Sequence, residues 1–205
     1  FPRSFFIDVV KGDSDEYTAL ATYGDRLFAF KRKTLYVINI GSPSPANWFL
    51  ESTERNKGVA STGGVFYSQD GIFWANRFGA FFFDGTGIKN LIKGKIPKKD
   101  WSVNTTDGNH PLVAFHEETN SLYVGQNDLS TTTAGIGDFF VYNFDARGWA
   151  KSVKDNDDYF FSNLIDDNTG DVIFNSMSAL TSSSSASQRG IDSAEEGSSV
   201  STDKF

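Results

Sequence analysis

Short apolar stretches, each cut by Gly, Asp, Asn or Pro, run the length of this chain. The pattern is densest between Gly63 and Gly87, GGVFYSQDGIFWANRFGAFFFDGTG. Aromatic runs at 65–68, 72–75 and 80–83 are separated by Gln69-Asp70-Gly71 and by Asn76-Arg77-Phe78-Gly79, and Asp84-Gly85 closes the last. Asp-Gly supplies the positive φ that a two-residue hairpin turn needs. The stretch therefore predicts a β-meander with Asp70, Gly71, Asp84 and Gly85 at its corners. Nothing in it is catalytic by residue type.

Strands are predicted at 4–10 and 17–23, and as a hairpin of 26–31 with 34–40 across Arg32-Lys33. The hairpin strands are apolar on both faces, as expected of central strands buried between neighbouring sheets. Pro43 and Pro45 deny ladder donors, so 41–46 is a loop. A short strand at 48–50 and a charged, exposed stretch at 51–57 follow. Beyond the meander, 88–92 is another short strand. KGKIPKKDW at 93–101 is the one candidate helix, interrupted by Gly94 and Pro97, with Ile96 and Trp101 as its apolar contacts. Residues 104–110 and 127–137 read as loops. Hairpins are predicted for 112–116 with 121–125, 138–144 with 148–153, and 159–165 with 171–175.

These units recur. LFAFKRKTLYVI begins at Leu27, VFYSQDGIFWA at Val65, LVAFHEETNSLYVG at Leu112 and FFSNLIDDNTGDVIFN at Phe160. Starts about 40 to 50 residues apart match the spacing of four-stranded propeller blades. A β-sandwich gives frequent hairpins too, but has no reason to repeat at that interval. The expectation is an all-β fold: a β-propeller-like array of antiparallel meander blades over 1–175, forming part of a larger propeller. Residues 176–205 are Ser-rich and acidic, too poor in apolar groups to order alone, and are expected to be flexible or ordered by a partner.

Composition supports the sheet reading. The 205 residues include 20 Phe and only 1 Met, and aromatic side chains fit a pleated, half-buried surface. The net charge of −7 argues against coating nucleic acid, which needs clustered cations, though DNA could slide past an acidic wall. With no Cys, disulfides, thiolate metal sites and Cys nucleophiles are excluded. No apolar run approaches a membrane span. The chain opens FPRSFF without a signal pattern, and is expected to be a piece of something longer.

The candidate chemistry is sparse. His110 and His116, with Glu117 and Glu118, would need three or four converging ligands to hold zinc, and are expected to be turn and surface residues. Asp155, Asp157 and Asp158, and Asp166, Asp167 and Asp171, are oxygen-rich enough for calcium. Gly170-Asp171 falls in the wrong order for a calcium loop, so these clusters read as solvated turns. Ser68 to Trp74 resembles the Asp-box of sialidase-type propellers, one residue short between Asp and Gly; in that family the box is a structural turn. A glycosidase would need two carboxylates across a cleft. Asn104-Thr105-Thr106 fits a glycosylation sequon. Gly85 and Gly87 lack the following helix of a phosphate loop. Lys89, Lys93, Lys95, Lys98 and Lys99 form a basic run that could touch nucleic acid or an acidic neighbour, or be a solvated face. No catalytic residue, metal ligand or cofactor is expected.

One resemblance extends across this pattern. Gly24-Asp25-Arg26-Leu27-Phe28-Ala29-Phe30, followed by Thr34-Leu35-Tyr36-Val37-Ile38, resembles a strand pair in structural proteins of tailed bacteriophages. Gly58-Val59-Ala60-Ser61, the segment from Gly63 to Ile72, Asp84-Gly85, the segment from Ile92 to Trp101 and the hairpin from Val141 to Trp149 continue the likeness, which covers about Gly24 to Trp149. The family comprises tail nozzle, tail tubular and tail hub proteins of short-tailed phages. The resemblance implies a non-enzymatic virion protein, assembled in the host cytoplasm, whose propeller-like domain forms an oligomeric ring around the DNA exit channel. Its implied partners are copies of itself, other tail proteins such as an adaptor or portal-proximal protein, and DNA passing through without sequence-specific contact. No small-molecule ligand and no membrane span are implied. The competing expectations are a host-receptor or glycan-binding (sialidase-like) propeller and a cellular interaction scaffold.

Overall fold

The computed structural model describes residues 15–101, 103, 109–128, 135–136, 139–152, 159–166, 172–176 and 187–189. The first sheet is a meander of β1 (Tyr17–Tyr23), β2 (Arg26–Lys31), β3 (Thr34–Asn39) and β4 (Phe49–Arg55), in that order. The second is β5 (Val65–Ser68), β6 (Gly71–Asn76), β7 (Gly79–Phe83) and β8 (Ile88–Asn90). The third contains β9 (Asn109–His116), β10 (Ser121–Asp128), β11 (Gly135–Ile136), β12 (Phe139–Asn143) and β13 (Gly148–Ser152). There β10 pairs β9 along its whole length, and its other edge takes β12 near its start and β11 near its end. The fourth is β14 (Tyr159–Ile165), β15 (Val172–Ser176) and β16 (Ser187–Arg189). Every pairing in the four sheets is antiparallel, so the all-β reading holds.

The first three sheets stack face to face in chain order, and the fourth meets the third through β14. Side chains alternate across a strand, and β6 shows the consequence. Ile72 and Trp74 point to the first sheet, against Phe28, Phe30, Leu35 and Val37. Phe73 and Ala75 point to the third, against Val113, Phe115, Leu122 and Val124. Phe28, Phe30, Phe73 and Trp74 are all fully buried, and each such side chain contributes on the order of 2–3 kcal/mol of transfer free energy. As expected, β2 and β3 are central strands with residues buried on both faces, but among the described residues only one face meets a neighbouring sheet, and the other carries the small cluster of Ala29, Tyr36 and Ile38.

The stack is a fan. The first strand of each sheet touches the first strand of the next, β1 to β5, β5 to β9 and β9 to β14, while β4, β8 and β13 make no comparable contact with one another among the described residues. The sheets converge on their first-strand side and splay on the other.

Local differences from the sequence reading have local causes. The loop between β5 and β6 is Gln69-Asp70, because Ser68 pairs Gly71. Both loop residues keep negative φ, and Gly71 (φ 149°) instead begins β6. It must be Gly, since a Cβ there would lie 2.0 Å from the Phe83 carbonyl oxygen. Residues 93–101 are not a helix. They make two separate turns, closed by Ile96 N–H to Ile92 O (3.0 Å) and Trp101 N–H to Pro97 O (3.2 Å), because Gly94 takes a positive φ and Pro97 cannot donate. The charged stretch 51–57 supplies most of β4, an exposed edge strand. His110 lies in β9 and not in a loop; Pro111 is tolerated because β9 pairs only with β10. Two ends of the expected Thr/Gly loop are strands, at Asn127-Asp128 in β10 and at β11. From the Ser-rich segment, β16 pairs with β15; the rest of it after β15, like the strand expected at 4–10, lies outside the described residues.

Candidate functional site

Two surfaces stand out, one at each side of the fan. On the first-strand side the exposed side chains of β1 and β5 are large and uncharged: Leu20 is 67% exposed and Tyr67 60%. Tyr23 bridges the two sheets there. Its ring lies 6.3 Å from that of Tyr67 and its hydroxyl donates to the Gln69 carbonyl at 3.1 Å. Two such apolar side chains on neighbouring edge strands form a surface suited to contact.

On the splayed side each gap is closed differently. Between the first and second sheets a groove of about 220 Å³ is lined by Arg26, Glu51, Glu54, Lys57 and Thr86. Its charges pair with each other: Arg26 Nε lies 3.0 Å from Glu51 Oε2 and Lys57 Nζ lies 2.7 Å from Glu54 Oε2. Beside it Asp84 builds the β7–β8 turn. Its Oδ1 accepts from the Thr86 hydroxyl (2.6 Å) and the Thr86 N–H (3.0 Å), and its Oδ2 meets Lys89 Nζ. The Lys89 ammonium first, then the Thr86 donors, hold this carboxyl well below the usual carboxylate range.

Between the second and third sheets the gap is wedged by the connection after β8. Trp101 is buried and donates its indole N–H to the Asn76 carbonyl at 2.8 Å. Trp149 donates to the Leu91 carbonyl at 3.0 Å. Outside them lies a cleft of about 510 Å³, lined by Ile96, Lys99, Asp100, Phe140, Trp149 and Lys151. Lys95 caps the neighbouring hairpin through the Tyr142 hydroxyl (2.6 Å) and the Arg147 carbonyl (2.8 Å).

Comparison with protein-family models and with curated protein sequences finds no match.

The residues singled out in the sequence fall as follows. Asp70 and Asp84-Gly85 sit between antiparallel strands, with Gly71 at the start of one. The Asp-box-like segment is a hairpin corner in which Ser68 Oγ accepts from the Asp70 N–H at 3.1 Å. His110 and His116 pair with Asn127 and Ser121 along one ladder, about 20 Å apart at the rise of a strand. His116 is buried, and its Nδ1 accepts from the Thr119 N–H at 3.3 Å. Glu117 and Glu118 are exposed in the turn. Among the described residues no group of three His, Cys, Asp or Glu is placed to hold a metal ion. The sequon at Asn104 and the acidic residues Asp155, Asp157, Asp158, Asp167 and Asp171 lie outside the described residues; Asp166 alone is described. No helix among the described residues is long and apolar enough to cross a membrane. Of the basic run, Lys89 is held by Asp84, Lys98 lies 5.5 Å from the Phe78 ring, and Lys95 and Lys99 approach the β12–β13 hairpin. The sequence did not single out Phe140, Trp149 and Lys151, although in-register pairing across that hairpin sets Phe140 opposite Lys151 and Tyr142 opposite Trp149.

Proposed function

We propose that this chain is part of a β-propeller in a bacteriophage tail, a nozzle or hub component that works by assembling into a ring around the DNA exit channel. The observation that carries the propeller reading is the fan: successive meanders stacked in chain order, in contact along their first strands and splayed at their last. A flat sandwich has no cause to converge on one edge in this way, whereas blades arranged about an axis must. The tail assignment adds the resemblance over Gly24 to Trp149.

On this reading the first strands face the axis. The exposed residues of β1 and β5, Tyr17, Leu20, Thr22 and Tyr67, are neutral, so these two strands would not give DNA the acidic wall expected from the net charge. Among the described residues, DNA would meet no exposed cation on β1 or β5. Leu20 and Tyr67 would be the contacts to an inner partner or to a neighbouring blade. Electron microscopy of the purified full chain and of the parent particle tests the proposal. Rings with a central opening, and the chain's presence in purified virions, are expected; a stable monomer absent from any particle would overturn it.

A further inference from the structure

We infer that the cleft between the turns after β8 and the β12–β13 hairpin is a binding site for an acidic saccharide. It goes beyond the ring proposal and does not depend on it. Three features of the cleft point the same way. First, it is an open cleft of about 510 Å³, wide enough to admit a sugar unit from the surface. Second, it has an aromatic wall held in place. Trp149 is half-buried, pinned by its bond to the Leu91 carbonyl, and braced by Trp101 at 5.5 Å and Tyr142 at 5.1 Å. A fixed indole face offers a sugar ring stacking area with little ordering cost.

Third, the polar groups are few and of both kinds. Lys99 and Lys151 supply ammonium groups, Lys151 lying 5.8 Å from the Phe140 ring, and Asp100 supplies a carboxylate. Amines suit the anion of a uronic, sialic or phosphorylated sugar, and a carboxylate accepts ring hydroxyls. In a chain of net charge −7, Lys99 and Lys151 on the lining, with Lys95 beside it, give this cleft the local positive charge that steers an anionic ligand. A nucleic-acid strand is less well matched. The wall offers one half-buried indole, not a series of stacking platforms.

The test is isothermal titration of the full chain with sialylated, uronic-acid and phosphorylated oligosaccharides, neutral oligosaccharides of equal size, and a DNA oligonucleotide. The carboxylated and phosphorylated arms distinguish the source of the anion. Binding of at least one acidic saccharide is expected, with the neutral sugars at least about tenfold weaker. Lys99→Glu, at an exposed turn, should weaken it by about tenfold without moving the melting temperature, and Lys151→Gln should weaken it in the same direction. Asp100→Ala decides between sugar and bare anion: weaker binding supports a hydroxyl contact, and tighter binding overturns it. No binding at millimolar concentration, equal binding of neutral sugars, or tighter binding of the oligonucleotide than of any saccharide would each overturn the proposal.

Discussion

The two faces of the second sheet are packed with similar residues and closed in opposite ways. Towards the first sheet, Trp74 stacks on Phe81 at 5.5 Å and meets Phe30 at 5.5 Å, yet its indole N–H finds no acceptor among the described residues. Towards the third, Trp101 and Trp149 each donate to a backbone carbonyl. The centre of the first interface is closed by apolar contact, with polar ties only at its margins, Tyr23 to the Gln69 carbonyl and Thr18 to the Val59 carbonyl, and ion pairs in the groove outside it. The second is tied together by polar bonds from a connection that enters the gap. Both meet at Asn76, the last residue of β6. Its Nδ2 donates to Asn56 O (3.0 Å) and Gly58 O (2.7 Å), in the connection from the first sheet. Its carbonyl receives Trp101, in the connection to the third. One residue thus serves both joints of the fan, the first through its side-chain amide and the second through its backbone carbonyl.

A change that destroys the shared sheet should abolish the comparison altogether. Gly71→Val puts a Cβ 2.0 Å from the Phe83 carbonyl at a φ only glycine adopts without strain. No cooperative thermal transition by circular dichroism is expected. Gly87→Ala, where a Cβ meets nothing within 4 Å, is the control and should stay within about 0.5 kcal/mol of the parent. Next comes Asn76→Ala. It strips the buried Gly58 carbonyl and the part-buried Asn56 carbonyl of their donor and frees the Phe78 N–H, bound at 2.7 Å to Asn76 Oδ1. Urea unfolding should show a loss of about 3 kcal/mol; a loss under about 1 would mean that the joints hold without it.

The strands were readable because aromatic runs between Gly and Asp turns leave little choice of backbone, and Ile72, Phe73 and Trp74 had to be buried on both sides. The joints were not. Asn76 looked like an ordinary turn residue, since nothing local tells that its amide will reach carbonyls 18 and 20 positions back. Trp101 was foreseen as an apolar contact of a helix. It is such a contact, but Gly94 and Pro97 break that helix into two turns, and the indole N–H finds its acceptor only in the assembled sheets. The cleft at Trp149 went unnoticed for the same reason: its walls come from segments about 50 residues apart.

The contrast between the interfaces sharpens with one conservative substitution on each side. Trp101→Phe removes the side-chain donor that reaches the Asn76 carbonyl and leaves that carbonyl buried, so a loss of about 2 kcal/mol is expected. Trp74→Phe loses volume but also removes an unsatisfied donor, and the two effects should nearly cancel, within about 1 kcal/mol. Equal losses in matched denaturation curves would show that polar closure does not distinguish the interfaces.

Smaller again is the Asp84 turn. Because its folded pKa is depressed, Asp84 contributes stability that is fully present above the ordinary carboxylate pKa, about 4, and fades as pH falls below it. Asp84→Asn should lower stability at pH 7 by about 1 kcal/mol and flatten the acid limb of the stability–pH curve. A parallel curve displaced at every pH would assign the turn to hydrogen bonding and not to charge.

The smallest effect is expected in the groove outside the apolar interface. Arg26 Nε donates to both Glu51 oxygens, at 3.1 and 3.0 Å, and these groups are about a third exposed. Water and salt screen such a pair, and holding two long side chains still offsets most of the attraction. Glu51→Gln should therefore cost less than about 0.5 kcal/mol at physiological salt, and raising the salt should leave parent and variant alike. If the cost instead exceeds that of Trp101→Phe, the first interface is held from its rim, as the second is held from its wedge, and the two joints of the fan are built on the same plan after all.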